Sequence, residues 1–497
     1  MLTGWRLTVS KLFIIPQRYV LGLMGFLAIV NAYTMRVSLN IAITEMVYPV
    51  NETEHPDPDA CIPENDASTS SKLLNHANLY PWDQHTQGII LSSFYWGYLI
   101  THLPGGILAE KFGGKYTLGL GILSTAVFTL ITPAVIHLSN GKWGVIVALR
   151  VIEGLGEGTT YPAINTLLAQ WVPLQERAKI GSLVYAGGQI GTVVSNLVSG
   201  TLIQATNDWS SVFYLFGGIG VLWFILFSLI CYSTPDEHPF ITDEEKSYLK
   251  KELDNVSKEK LPIPWRGILT SVPLWALVCA QVGHDWGFYT MVTDLPTYLK
   301  DVLKFNIGQN GVWSSIPYVV MWIVSMLSGY LCDWLIKKGF MNVTFSRKFF
   351  TTIASMGPAI FLVIASYSGC NRMLSVLMFT IGMGLMGTFY CGMKVNALDL
   401  SPNFAGTLMA IVNGIGAITG IVSPYLAGAI TADHTLAQWR IVFWISFFIF
   451  VITNAVYVFF ASGEEQWWNH SQNKPSEKHV SENEHNDLQM ESRTDQI

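Results

Sequence analysis

Arg150, Glu153 and Glu157 stand three and four residues apart inside an otherwise apolar run from Trp143 to Leu168. On a helix those spacings place all three charges on one stripe. A guanidinium offers a permanently charged, two-pronged fork to a carboxylate or phosphate. A carboxyl beside it can take up a proton and stop competing for that fork. The chemistry implied is reversible binding of an anion against a titratable competitor. The surrounding run predicts a membrane-spanning helix, where each central charge costs about 2.5–3.5 kcal/mol even on the lenient insertion scale. The stripe must therefore face protein or a watery path.

Other charges lie in similar settings. Arg36 falls well inside the first apolar run, and His284, Asp285 and Asp294 fall in the seventh. Lys394 falls near one end of the tenth, where a lysine can snorkel to the interface or turn inward as an additional anion contact. Arg150 and Glu153 suit a pair at i+3, which leaves Glu157 without a partner in its own span. Glu157 is then the expected carrier of a coupling proton, with Glu153 as the other candidate. Adjacent helical residues point about 100° apart, so His284 and Asp285 cannot serve one spot. Asp285 reads as a coupling acid or a sodium ligand, and His284 as a second coupling group or a packing histidine.

The elements that must position these residues follow from composition. The chain has 497 residues, 50% of them hydrophobic and 13% charged, against about 25% charge in soluble domains. A polytopic membrane protein is expected, all-α, with no sheet. Runs of about 20 apolar residues fit twelve spans, at 19–47, 86–110, 115–137, 143–168, 179–203 and 209–231, then 271–299, 309–335, 349–368, 374–398, 403–430 and 439–462. These delimit an N-tail (1–18), a six-helix half (19–232) with a polar loop at 48–84, a linker (233–268), a second half (269–463) and a disordered tail (464–497). One side of the membrane carries only Lys72, Lys142, Lys300, Lys304, Arg372 and Arg440, so the other side, with both termini, is expected in the cytosol. Asn51-Glu52-Thr53 is then an external glycosylation site. The six cysteines form no recognisable framework and read as small packing residues.

The halves repeat. Trp209-x-x-Val212-Phe213 returns as Trp439-x-x-Val442-Phe443, Val194-Ser195…Gly200 as Val422-Ser423…Gly428, and Gly106-x-x-x-Glu110-Lys111 as Gly329-x-x-x-Asp333. Glu110, Lys111 and Asp333 are expected cytosolic gate contacts. Under this repeat the buried charges fall on spans one, four, seven and ten, the first and fourth helices of each half. Parallel six-helix halves around a polar centre are the plan of major facilitator transporters. Gly154-x-Gly156-x-Gly158 follows no strand, so it reads as a packing face and not as a nucleotide loop.

With these residues placed, the chain resembles the anion:cation symporter family of the major facilitator superfamily, which includes sialin, the vesicular glutamate transporters and the sodium–phosphate cotransporters. The likeness rests on Arg36, Phe94-Tyr95-Trp96-Gly97-Tyr98…Pro104-Gly105-Gly106, Arg150-x-x-Glu153-Gly154-x-x-Glu157-Gly158…Tyr161-Pro162, Trp286-x-Phe288-Tyr289, Asn396-x-Leu398-Asp399 and Ser462-Gly463-Glu464. It is strongest to the insect branch of sialin-like and inorganic phosphate cotransporter proteins. The resemblance implies that Arg36 and Arg150 face the substrate anion, that Glu157 couples protons, and that Tyr98 and Tyr289 line the pocket. Departures from the vesicular glutamate transporters stand at Leu91, His284 and Lys394.

The expectation is a secondary transporter of a small anion, inorganic phosphate or an organic anion, coupled to Na⁺ or H⁺. One alternative is proton-coupled export of sialic acid or acidic amino acids from lysosomes or vesicles. Another is a non-transporting membrane sensor. The expected partners are the anion, the coupling ion and the lipid bilayer, with the plasma membrane favoured. No enzyme activity, cofactor, nucleic acid or tightly held metal is expected beyond a sodium site near Asp285, and the protein is expected to be a monomer.

Overall fold

The computed structural model describes residues 15–48, 61, 79–254 and 263–469. Asn51 lies outside them. The fold is a bundle of helices, joined by one short bridge between Val47 and Tyr80. Among the described residues, eight helices are long and apolar enough to cross a membrane taken singly. Spans two (Gln84–Phe112), four, five and seven (Val272–Asp301) complete the twelve. These four are more polar or interrupted.

Two of the interruptions recur in both halves. Span four runs Trp143–Glu157, breaks at Gly158 and Thr159, and resumes Thr160–Trp171. Pro162 lacks an N–H and crowds the carbonyl four residues back, which fixes the break directly after Glu157. Span ten runs Arg372–Met386, tightens to a 3₁₀ turn at Gly387–Tyr390, and resumes Met393–Leu400. Span five breaks between Tyr185 and Gly187, and span eleven between Gly416 and Thr419. The sequence reading treats each as one run. In the structure each is two shorter helices.

Glycines let the helices meet backbone to backbone. A methyl added at Gly154 would collide with the Phe94 carbonyl of span two, and one at Gly156 would sit 2.8 Å from the Gly121 carbonyl of span three. The Gly154–Gly158 series is therefore a packing face.

The side where span one (Gln17–Met46) ends is sealed between the halves. A methyl at Gly88 would sit 2.6 Å from the Pro424 carbonyl oxygen, and one at Gly200 would sit 2.7 Å from the Gly311 Cα. Lys300 pairs with Glu45 at 3.3 Å. His434 Nδ1 lies 2.6 Å from Asp301 Oδ2, and Gln84 Nε2 donates to the same oxygen at 2.9 Å. Pro296 leaves the Val292 carbonyl without its helical donor, and Asn40 of span one donates to it at 2.8 Å. The halves are also joined covalently by a Cys61–Cys370 disulfide, with Cα atoms 5.2 Å apart. This corrects the reading of the cysteines as packing residues for that pair, whose members lie 309 positions apart and meet only in three dimensions.

The polar connections are more ordered than their composition implies. The linker contains a helix, Asp243–Asp254, whose Glu245 accepts from the backbone N–H of Gln17 and from the Arg18 side chain. The tail begins with an ordered turn at Trp467–Asn469, where Asn469 bonds Ser401 and Trp468 is buried. This corrects the expectation of disorder for residues 464–469, which Asn469 and Trp468 anchor; the rest of the expected tail lies outside the described residues.

Candidate functional site: two charge clusters between the halves

The first cluster joins spans one and four. Arg36 donates to Glu157, and Arg150 donates to Glu153 at 2.7 Å. Arg150 also donates to the Arg36 backbone carbonyl at 3.2 Å. The second Glu153 partner set is Thr129 and Thr132 of span three (Gly114–Leu138), both donating to Oε1. All four charged residues are at most 4% exposed. The Arg36 guanidinium lies 4.6 Å from the Tyr33 ring, 4.9 Å from Phe94 and 5.0 Å from Tyr98. Arg150 lies 4.9 Å from the same Phe94 ring. The aromatic faces hold two cations where water is excluded.

This cluster has unused hydrogen-bonding capacity. Arg36 Nε, Arg150 Nε and Glu157 Oε2 are buried without a partner. Buried polar atoms left unmatched are costly, so the arrangement suits a ligand that brings acceptors to the two guanidinia. The structure also corrects the expected pairing. Glu157 competes for Arg36 and not for Arg150, because Arg150 is already held by Glu153 one turn earlier.

The second cluster joins spans seven and ten. Asp285 accepts from Gln281 Nε2 at 2.8 Å on both oxygens. Lys394 donates to Asn413 of span eleven at 2.6 Å and lies 5.4 Å from the Phe389 ring. The lysine turns inward, which corrects the snorkelling alternative. Asp285 and Lys394 act on each other electrostatically but make no ion pair among the described residues. Each charge rests on a neutral amide, and both are only half-buried. His284 faces elsewhere, its ring stacked 3.5 Å from Phe389 with Nδ1 unpartnered. That contact favours packing over coupling, as expected for neighbours about 100° apart. Tyr289 meets Tyr95 across the halves at 4.7 Å.

The sequence profile of the Major Facilitator Superfamily matches residues 21–424. Human sialin is 41% identical over 451 residues, covering 91% of this chain and 90% of sialin. A Drosophila ananassae protein named "Putative inorganic phosphate cotransporter" is 41% identical over 457 residues, covering 90% and 92%. Human vesicular glutamate transporter 2 is 32% identical over 469 residues, covering 93% and 77%. This chain belongs to the anion:cation symporter family of the major facilitator superfamily. Among solved structures, a D-xylose–proton symporter superposes with a TM-score of 0.66 at 14% identity, covering 90% of this chain and 98% of that one. At that identity it speaks for the fold alone.

As a major facilitator, the chain holds its charges on the first and fourth helices of each half, as its repeat requires. Arg36, Arg150, Glu153, Glu157 and Tyr98 come together in the first cluster, and Asp285, Lys394 and Tyr289 in or beside the second. Of the gate positions, Lys111 and Asp333 make no contact with each other among the described residues. Lys111 and Asp333 are exposed on the side opposite the seal, and the side chain of Glu110 lies outside the described set. Among the described residues no group of three or more His, Cys, Asp or Glu is arranged to hold a metal. Sequence reasoning passed over His102. It stacks on Tyr98 at 5.3 Å, its Nδ1 is unpartnered, and both Arg36 and Lys394 act on it electrostatically. Its signal was present: a histidine four residues after Tyr98 shares that tyrosine's helical face.

Proposed function

We propose that this protein is a secondary active transporter of a small anion, coupled to a cation by alternating access. The observation that carries the reading is the buried Arg36–Glu157 pair with unmatched donors on Arg36 and Arg150. A proton on Glu157 removes its charge and releases Arg36 to an incoming anion. Loss of the anion lets the carboxylate reclaim the guanidinium. Asp285 and Lys394, parked on amides across the path, give the second half one group for a cation and one for an anion. A fixed fork and a separate ammonium suit a multiply charged anion such as phosphate.

The sealed side is the extracellular or lumenal one in this reading. The sparse basic residues on that side support it, as does the disulfide there, which forms in oxidising compartments. The linker, both termini and the gate residues Glu110, Lys111 and Asp333 then face the cytosol, and Asn51 is open to glycosylation. Na⁺/phosphate symport at the plasma membrane is the first version. The 41% identity to sialin favours a second, proton-coupled export of acidic sugars from an acidic compartment.

The deciding experiment is uptake of labelled phosphate, sialic acid and glutamate into proteoliposomes under imposed Na⁺ or H⁺ gradients. Gradient-driven accumulation of one anion, lost in Arg36→Ala, is expected. Absence of uptake of all three, or full uptake in Arg36→Ala, overturns the reading.

A further inference from the structure

Asp294 lies in the sealed half of span seven, outside both clusters. It is 6% exposed, and its Oδ2 has no hydrogen-bond partner. No arginine, lysine or histidine contacts it among the described residues. The neighbouring cations are engaged elsewhere: Arg36 on Glu157, Lys300 on Glu45, and Arg440 of span twelve on the Ser366 carbonyl. The titratable groups that face this stretch are Tyr318 of span eight, on which Asp294 acts electrostatically, and Tyr298 one turn along span seven. Both hydroxyls are buried without a partner.

An ionised carboxylate without a countercharge cannot stay in such a place, because an unpaired buried charge costs several kcal/mol or more. It must hold a cation. A sodium ion would need a cage of several oxygens, as hard cations do, and most of the local backbone and threonine oxygens are already engaged. The Val292 carbonyl freed by Pro296 accepts from Asn40, the Pro296 carbonyl accepts from Asn310, and the Thr293 hydroxyl donates to the Tyr289 carbonyl. A proton needs no cage. The neutral acid gains a donor, and Tyr318, on which Asp294 acts electrostatically, has an unpartnered hydroxyl oxygen to receive it.

We propose that Asp294 is a proton-binding site whose occupancy is required for the halves to seal on this side. When that side opens and hydrates, the carboxyl ionises. When it closes, the carboxyl must first take a proton from the compartment beyond. Protonation and closure are then one linked equilibrium, so acid on that side favours the sealed state. This goes beyond the anion site, since it needs neither bound anion nor Glu157.

The test uses the full-length protein in nanodiscs without anion. Spin labels go on two exposed residues of the sealed side, one per half, as Lys142→Cys and Ala432→Cys. Both the parent and the variant carry His434→Asn, which removes the imidazole beside Asp301 and tolerates the left-handed backbone there (φ 57°). The parent should show a closed-to-open ratio rising by up to about tenfold per pH unit on acidification. Asp294→Asn, a permanent mimic of the neutral acid, should stay closed with a flat pH profile. An unchanged pH response in Asp294→Asn, or none in the parent, overturns the proposal. Infrared difference spectra give a second readout. A protonated carboxylic acid band in the sealed state, absent in Asp294→Asn or Asp294→Ser, is expected, and its persistence in both variants overturns the assignment. Failure of anion transport would sink the reading of the first cluster and leave this result standing.

Discussion

The two charge clusters occupy equivalent helices but are wired in opposite ways. In the N-terminal half the cation sits on the first helix and its partner acid on the fourth, as Arg36 and Glu157, locked together and shut from water. In the C-terminal half the acid sits on the first helix and the cation on the fourth, as Asp285 and Lys394, each held by an amide and half-open. A closed pair must be broken before it can bind anything. A parted pair can bind at once but with less electrostatic gain, since water screens it. The first cluster is thus suited to gating and the second to tuning.

That contrast predicts a graded set of effects. Arg36→Ala should be the most severe, reducing anion uptake by about a hundredfold or more, because truncating one partner of a buried charge pair costs about 2–5 kcal/mol. Its thermal stability in detergent should fall as well, and Arg36→Ala with Glu157→Gln should recover part of that loss. No recovery would mean that the pair is not the unit described here. Glu157→Gln alone should leave anion exchange intact while abolishing its response to a pH gradient. Retained proton-driven accumulation would transfer coupling to Glu153 or Asp285.

Lys394→Ala should change stability little and raise the KM for a divalent anion by about tenfold, which corresponds to about 1.4 kcal/mol. A monovalent anion should be less affected. Equal losses for both anions would assign Lys394 a structural role. The smallest effect concerns the first part of the linker, 233–254, which packs on the N-terminal half. His238 Nε2 lies 3.1 Å from the Ile230 carbonyl, and Nδ1 accepts from Phe240 N–H, so the imidazole is held neutral. Burial pushes it down from 6.5 to about 4. The unfolded linker then binds more protons across that window, so its docking is complete above 6.5 and weakens as pH falls toward about 4. Hydrogen exchange of residues 231–254 should rise over that range and stay flat in His238→Asn.

Much of this was legible from sequence because a bilayer penalises exceptions. A charge inside an apolar run is conspicuous, so Arg36, Arg150, Glu157, Asp285 and Lys394 could be picked out, and the repeat placed them on four helices. Which charge meets which could not be read. Local spacing gives Arg150 to Glu153, but the Arg36–Glu157 contact spans 121 positions and exists only once the helices pack. Asp294 was visible as a charge, yet its lack of a partner is a property of the folded surroundings. The helix breaks left only partial traces, such as Pro162 after Glu157. Nothing in the spacing of six cysteines singled out Cys61 and Cys370.

That last bond has a consequence for how the chain is made. In the proposed topology Cys61 reaches the oxidising side of the membrane early in synthesis, while its partner lies 309 residues further along. At about 5–20 residues per second, the first thiol waits on the order of 15–60 s before Cys370 exists to meet it. During that interval it is open to glutathione, to an isomerase or to another nascent chain. A slowed ribosome or a missing chaperone would therefore show itself first as mispaired, disulfide-linked oligomers, before any defect in transport.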